Sequence, residues 1–278
     1  MGSAGNVPEL TVGVLALQGA FSEHLQLLRQ AATVLSAKDI LKRSWTFLEV
    51  RNESELATCD ALIIPGGEST AISLVAERSN MLDPLRDFVK LLRKPTWGTC
   101  AGLILLAESA NRTKKGGQEL IGGLDVRVNR NHFGRQAESF QANLDLKFLR
   151  DDGAAGGDDP FKAIFIRAPI VEKLLPHMPG VQEGEAKIDE TIIAPSRAAS
   201  KATTENIKSA DVEILAILPG RAAIIKDDQF KENLDAEAGD IVAVRQANVF
   251  GTSFHPELTG DPRIHVWWLE QVAKALEQ

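Results

Sequence analysis

At 278 residues, with 44% apolar and 25% charged side chains, the chain can fill one large domain or two small ones with an ordinary globular core. A net charge of −7 with acidic and basic residues interspersed argues against nucleic acid or an anionic membrane as the main partner, and no apolar run approaches the ~20 residues of a membrane span. Residues 1–10 lack the apolar core of a secretory signal, Asn6 stands where a myristoylation motif has Ser or Thr, and Cys59 and Cys100 are too few for a disulfide framework; a reducing, cytoplasmic setting is expected.

In chain order, residues 10–17 read as a strand, followed by a Gln18-Gly19 turn and a helix over 21–32 with apolar residues at Phe21, Leu25 and Leu28. Residues 45–50 and 61–64 are the second and third strands, the latter stopped by Pro65-Gly66-Gly67. Helices over 69–77 and 82–92 lead to a fourth strand at 96–99 and a helix over 101–108. This alternation predicts an α/β fold with a mostly parallel sheet covered on both faces. The second half adds strands at 124–128, 139–146, 163–166, 214–218, 222–225, 241–246 and 249–253, and a closing helix over 262–276. A hairpin is expected at Gln246-Ala247-Asn248. Segments 111–119, 151–159 and 180–211, rich in Gly and charged or small polar residues, are expected to be surface insertions, and residues 1–8 to be flexible. None of them separates two cores, so residues 1–278 are read as one domain.

Gly98-Thr99-Cys100-Ala101-Gly102 sits where a strand hands over to a helix, in the G-x-nucleophile-x-G pattern whose small residues permit a sharp turn. The turn lifts the thiol out of the sheet, and N–H dipoles at a helix start favour thiolate. A buried structural cysteine is the plainer alternative on local grounds. A base is needed, and His255 follows a strand and precedes Pro256-Glu257, so that Glu257 can fix its tautomer. His24, His132, His177 and His265 have no acidic residue at a telling offset and are read as surface or packing histidines. His-x-Glu also occurs in zinc deaminases, but the Cys-x-x-Cys segment they need is absent, and no metal is expected. Pro65-Gly66-Gly67-Glu68-Ser69-Thr70 exposes backbone N–H groups after a strand; without Gly-Lys-Ser/Thr it is no phosphate loop, yet it can supply an oxyanion donor. At the carboxyl ends of parallel strands the three elements share one rim.

Together these segments resemble class I glutamine amidotransferases, and more narrowly the glutaminase family that serves pyridoxal 5′-phosphate synthase. The resemblance rests on residues 14–20 (VLALQGA), 62–70 (LIIPGGEST), 98–104 (GTCAGLI), 130–136 (RNHFGRQ), 165–169 (FIRAP) and 253–259 (SFHPELT), in family order and across nearly the whole chain. It implies a flavodoxin-like three-layer fold with additional antiparallel strands. It also implies a Cys100–His255–Glu257 triad that hydrolyses L-glutamine to glutamate and ammonia through a glutamyl thioester. By the same resemblance Gly67 and Ala101 supply the oxyanion hole, and Gly67, Glu68, Ser69, Arg130, Ile166 and Arg167 contact glutamine. Gln18 matches a residue at the interface with the partner. That partner is a barrel-shaped synthase subunit which consumes the ammonia to make pyridoxal 5′-phosphate; no cofactor is expected on this chain.

Rival readings are an amidotransferase subunit of another synthase, a cysteine peptidase or deglycase, and a non-catalytic scaffold. The B6-specific stretches oppose the first. The absence of a histidine between residues 101 and 131 opposes the second, and the intact triad opposes the third.

Overall fold

The computed structural model describes residues 9–38, 43–111, 118–130, 139–151, 159–178, 180–188, 190–196, 211–218 and 239–277. The expected strand at 222–225, the flexible stretch 1–8, His132 and much of the three expected insertions (112–117, 152–158, 189 and 197–210) lie outside the described residues.

The strands are β1 (Glu9–Leu15), β2 (Ser44–Val50), β3 (Ala61–Ile64), β4 (Thr96–Thr99), β5 (Ala107–Asn111), β6 (Leu124–Asn129) and β7 (Ser139–Leu144). They continue with β8 (Phe161–Ile166), β9 (Ile170–Leu174), β10 (Thr191–Ile193), β11 (Glu213–Leu218), β12 (Asp240–Gln246) and β13 (Val249–Thr252). Between them run the helices α1 (Phe21–Ala37), α2 (Glu53–Ala57), α3 (Ser69–Arg78), α4 (Leu82–Arg86), α5 (Ala101–Leu106), α6 (Phe148–Asp151), α7 (Glu183–Ala186) and α8 (Arg263–Leu276).

The main sheet has the order β10-β5-β6-β9-β12-β13-β4-β3-β1-β2, with β11 added to β12; β7 and β8 form a separate hairpin. From β2 to β13 every pairing is parallel, and β9, β10, β11 and β12 introduce the antiparallel ones. The expected α/β architecture is therefore present: a parallel run β2-β1-β3-β4-β13 between helical layers, extended by added antiparallel strands.

Strand periodicity explains the layers, because successive side chains point to opposite faces. Val12, Val14 and Ile63 face one core, filled by α1 and α8 with Trp97, Trp267 and Trp268. Leu15, Leu62 and Ile64 face the other, filled by α2, α3, α4 and α5. Burial on both faces is why β3 reads as an unbroken apolar run.

Local differences from the sequence reading have identifiable causes. The helix expected over 101–108 stops at Leu106, and residues 107–111 become β5, held by β6 on one side and β10 on the other. Ladder pairing overrides the helical preference of an Ala/Leu-rich segment. The helix expected over 82–92 is α4 followed by a π-helical turn at Asp87–Leu91, closed by the Leu92 N–H on the Asp87 carbonyl at 2.8 Å.

The expectation that 180–211 is merely a surface insertion is corrected by its described part. Residues 191–193 pair with 109–111 and cover the sheet edge. Glu185, only 3% exposed, accepts hydrogen bonds from Arg127 Nη1 at 2.7 Å and Ser109 Oγ at 3.0 Å. The Arg127 guanidinium in turn holds the Glu185 carboxyl below its ordinary value against the opposing effect of burial. Segment 111–119 is likewise anchored, with Asn111 in β5 and the Glu119 N–H on Ser73 Oγ at 2.8 Å.

Replacing Glu185 with Ala takes a buried carboxylate from Arg127, which keeps Glu172 and Thr191, and from Ser109. The expected loss is about 3 kcal/mol in denaturant unfolding; a loss below about 0.5 kcal/mol would return this segment to the status of a surface loop.

Candidate active site

β4 ends at Thr99, and the chain turns into α5 within a single residue, Cys100, whose φ of 48° lies in the left-handed region. Such a conformation costs about 1–3 kcal/mol for a residue with a side chain. Here it is imposed from both sides: the Cys100 N–H bonds the Thr252 carbonyl at 2.8 Å, and the Cys100 carbonyl accepts from the Ile104 N–H at 3.2 Å. The glycine two residues on is required by contact, since a Cβ on Gly102 would collide with the Ile64 carbonyl oxygen. The helix can therefore start flush against β3, and Cys100 Sγ is left 3.9 Å from the Ile166 carbonyl oxygen.

β13 runs parallel beside β4, with Thr252 opposite Thr99, and three residues later the chain reaches His255. The backbone N–H of His255 donates to the Ile164 carbonyl of β8 at 2.8 Å. A 3-10 turn at Pro256–Leu258 then folds Glu257 back, so that its Oε1 lies 2.7 Å from His255 Nδ1. Both side chains are buried. Burial alone would lower the imidazole pKa, but hydrogen bonds to Cys100 and Glu257 and their negative charge outweigh it and raise His255 to about 10. Nδ1 is thereby occupied by the carboxylate, leaving Nε2 to serve the sulfur.

The Pro65–Thr70 loop closes over this pair. A Cβ on Gly66 would strike the His255 ring and come within 3.4 Å of Cys100 Cβ. Gln18 Oε1 accepts from the Glu68 N–H at 3.0 Å, and the Ala20 N–H bonds the Gly66 carbonyl at 3.0 Å, tying the turn after β1 to this loop. The Glu68 carboxylate caps α3, accepting from the N–H groups of Thr70 at 3.1 Å and Ala71 at 2.6 Å. Arg130 follows β6 and donates from Nη2 to Ser69 Oγ at 2.9 Å and Thr70 Oγ1 at 3.2 Å. Burial lowers the Arg130 guanidinium below its ordinary value, with Glu68 opposing.

Of the residues expected from sequence, the structure places Cys100 against Ile166 and His255 against Glu257, with Gly66 packed between the His255 ring and Cys100. Gln18, Gly67, Glu68, Ser69 and Arg130 form a second connected group beside them. Ala101 heads α5 and is buried, and Arg167 is exposed with a φ of 45°. Among the described residues no three His, Cys, Asp or Glu side chains are grouped as a metal site, and no helix is long and apolar enough to cross a membrane.

One histidine expected only as a surface or packing residue lies beside the site. His24 is fully buried, with Nε2 at 3.4 Å from Glu257 Oε2. The available signal was its place on α1 beside Phe21, Leu25 and Leu28, which puts it on the inward stripe. His265 is its buried neighbour, whereas His177 pairs with Asp125 at 2.8 Å.

The SNO glutamine amidotransferase family matches residues 14–197 and 197–274. A probable pyridoxal 5′-phosphate synthase subunit PDX2 of Arabidopsis thaliana is 39% identical over 269 residues, 97% of this chain and 88% of the relative. The pyridoxal 5′-phosphate synthase subunit PdxT of Streptomyces avermitilis is also 39% identical, over 94% of this chain and 93% of its own. A crystal structure of a glutamine amidotransferase superposes with a TM-score of 0.60 at 32% identity, covering 94% of this chain and 98% of its own.

The electrostatics can be tested directly. In a histidine-labelled NMR titration His255 is expected to change protonation near pH 10. In Cys100→Ala the sulfur's hydrogen bond and charge are gone, so the midpoint should fall toward the ordinary 6.5. A wild-type midpoint already near the ordinary value would refute the coupling.

Proposed function

The chain belongs to the SNO glutamine amidotransferase family and is a glutaminase of that kind; on this premise we propose that Cys100, His255 and Glu257 hydrolyse L-glutamine and deliver the ammonia to a pyridoxal 5′-phosphate synthase subunit. The observation that carries the proposal is a strained elbow thiol at the end of β4 with the buried His255–Glu257 pair just beyond the end of the adjoining parallel strand β13.

The chemistry follows from these positions. Cys100 Sγ attacks the side-chain amide carbon, and the proton held by His255 passes to the departing ammonia. The Gly67 and Ala101 N–H groups stabilise the oxyanion. Water, deprotonated by the now neutral His255, then cleaves the thioester; glutamate leaves and the thiol is restored. Glu257 keeps the imidazole in one tautomer and stabilises its charged form.

Substrate recognition is assigned to Gly67, Glu68, Ser69, Arg130, Ile166 and Arg167. Arg130 suits a carboxylate through charge-assisted hydrogen bonds, and its neighbours Ser69 and Thr70 already aim its head group. The Glu68 carboxylate is committed to capping α3, so Glu68 is assigned a backbone contact. The Ile166 carbonyl lies against the nucleophile and bounds the site on the β8 side.

Gln18 grips the oxyanion loop and belongs to the partner-facing surface, which makes it the link between docking and activity. The partner is a barrel-shaped synthase, and pyridoxal 5′-phosphate is its product, so this subunit is assigned no cofactor of its own. The whole chain acts as a single amidotransferase domain, in the cytoplasm.

Glutamate release from glutamine, with and without the synthase subunit, tests this reading. Wild type is expected to turn over with the partner and weakly alone, while Cys100→Ala loses at least about 1,000-fold. His255→Asn should lose about 100-fold or more in kcat while still binding glutamine. Arg130→Ala should act mainly on KM, by about tenfold or more. Persistent turnover in Cys100→Ala sinks the nucleophile assignment, and strong activity without a partner points to a different amidotransferase.

A further inference from the structure

The catalytic carboxylate has a second oxygen that the triad does not use. Glu257 Oε1 is taken by His255, but Oε2 is buried and has no hydrogen-bond partner among the described residues. A half-solvated carboxylate in a dry interior is unfavourable unless a donor stands close by. His24 is such a group, its Nε2 lying 3.4 Å from Oε2 and 3.2 Å from Thr99 Oγ1. Its other nitrogen, Nδ1, is 2.9 Å from His265 Nε2 on α8.

Both rings are fully buried, and burial is the main reason each is neutral: His24 is held well below its ordinary pKa, with His265 and His255 adding to the effect, and His265 is pushed down to about 3. The contact with Glu257 is therefore made by a neutral imidazole and is no ion pair.

Two neutral rings carry two protons among four nitrogens, and their surroundings select the arrangement. If His24 Nδ1 donated to His265, His24 Nε2 would turn a lone pair toward the carboxylate. His265 would then carry its proton on Nδ1, a buried atom with no hydrogen-bond partner among the described residues. In the opposite arrangement His265 Nε2–H donates to His24 Nδ1, and the His24 Nε2–H faces Glu257 Oε2 and Thr99 Oγ1. Only a lone pair is then left unused on His265. This second arrangement strands no donor and opposes no two acceptors.

We propose that His24 is a positioning residue for the reaction: its Nε2–H, set in that tautomer by His265, holds Glu257 Oε2 so that Oε1 stays on His255 Nδ1. The proposal rests on the triad reading above. The two histidines act in series, so that His265 works only through His24, and His24 only through Glu257.

The experiment measures kcat and KM for glutamine with the full-length chain and its synthase subunit, with competent sites counted by a glutamine-directed thiol label. His24→Leu keeps the packing and removes the donor; it is expected to lower kcat about 10- to 100-fold with KM held within about threefold. His24→Gln, whose amide nitrogen reaches nearly the same point, should recover most of that loss. His265→Phe should also lower kcat, and the His24→Leu/His265→Phe double variant should be no worse than His24→Leu alone, the signature of action in series. If His24→Leu fails to fold, His24→Gln and His265→Phe carry the same comparison.

Unchanged kcat per labelled site in His24→Leu, or in His265→Phe where only that variant folds, overturns the proposal provided that Cys100→Ala is inactive. Additive losses in the double variant overturn the serial arrangement. Turnover in Cys100→Ala would instead overturn the triad reading itself.

Discussion

The parallel pairing of β4 with β13 is the constraint on which the site depends. Four residues of each strand are in register, from Thr96 opposite Val249 to Thr99 opposite Thr252. Both strands end on the same sheet edge, so the chain delivers Cys100 from one and His255 from its neighbour. No local interaction could join residues so distant in sequence. The ladder does so because both strands are buried on both faces, where a slip of one residue would turn every side chain to the wrong layer.

That junction is expensive, and the surrounding packing holds it in place. Cys100 sits at positive φ, Glu257 is a buried carboxylate, and two more histidines lie beneath it. An aromatic layer encloses these groups. The Trp97 ring is 5.5 Å from that of His24, 4.9 Å from that of His265 and 5.7 Å from that of Trp268. Excluding water strengthens the hydrogen bonds between His255 and its partners and also keeps the deeper histidines neutral. One environment thus yields a raised pKa at His255, where hydrogen bonds to anionic partners outweigh burial, and lowered ones behind it, where burial dominates.

Much of this was legible in the sequence because the relevant signals are local. The glycines around Cys100 report a close approach, the unbroken apolar run of β3 reports burial on both faces, and Glu257 follows His255 closely enough to suggest an orienting pair. The illegible parts depend on distant partners. Residues 107 and 108 follow directly on the apolar run from Ala101 and read as the end of a helix until β6 and β10 claim them for a strand. The three-residue β10 is too short to show a period, so segment 180–211 looked wholly superficial although Glu185 ties it to Arg127. His24 occupied the inward stripe of α1, but nothing near it in sequence could announce a carboxylate more than two hundred residues away.

The place of β13 in the sheet has a consequence for the protein's biosynthesis. It is the last strand along the described chain, yet it lies in the interior of the sheet, between β12 and β4. While the ribosome is still translating, β4 has an open edge where its neighbour will be, and the elbow at Cys100 lacks the Thr252 carbonyl that fixes it. The two halves of the sheet cannot mature as separate units, and the closing step must thread a late segment between strands already made. A nascent or truncated chain ending before residue 249 exposes an unpaired apolar strand to other chains. It also lacks the base opposite its thiol, so competence at the site arrives only with the completed sheet.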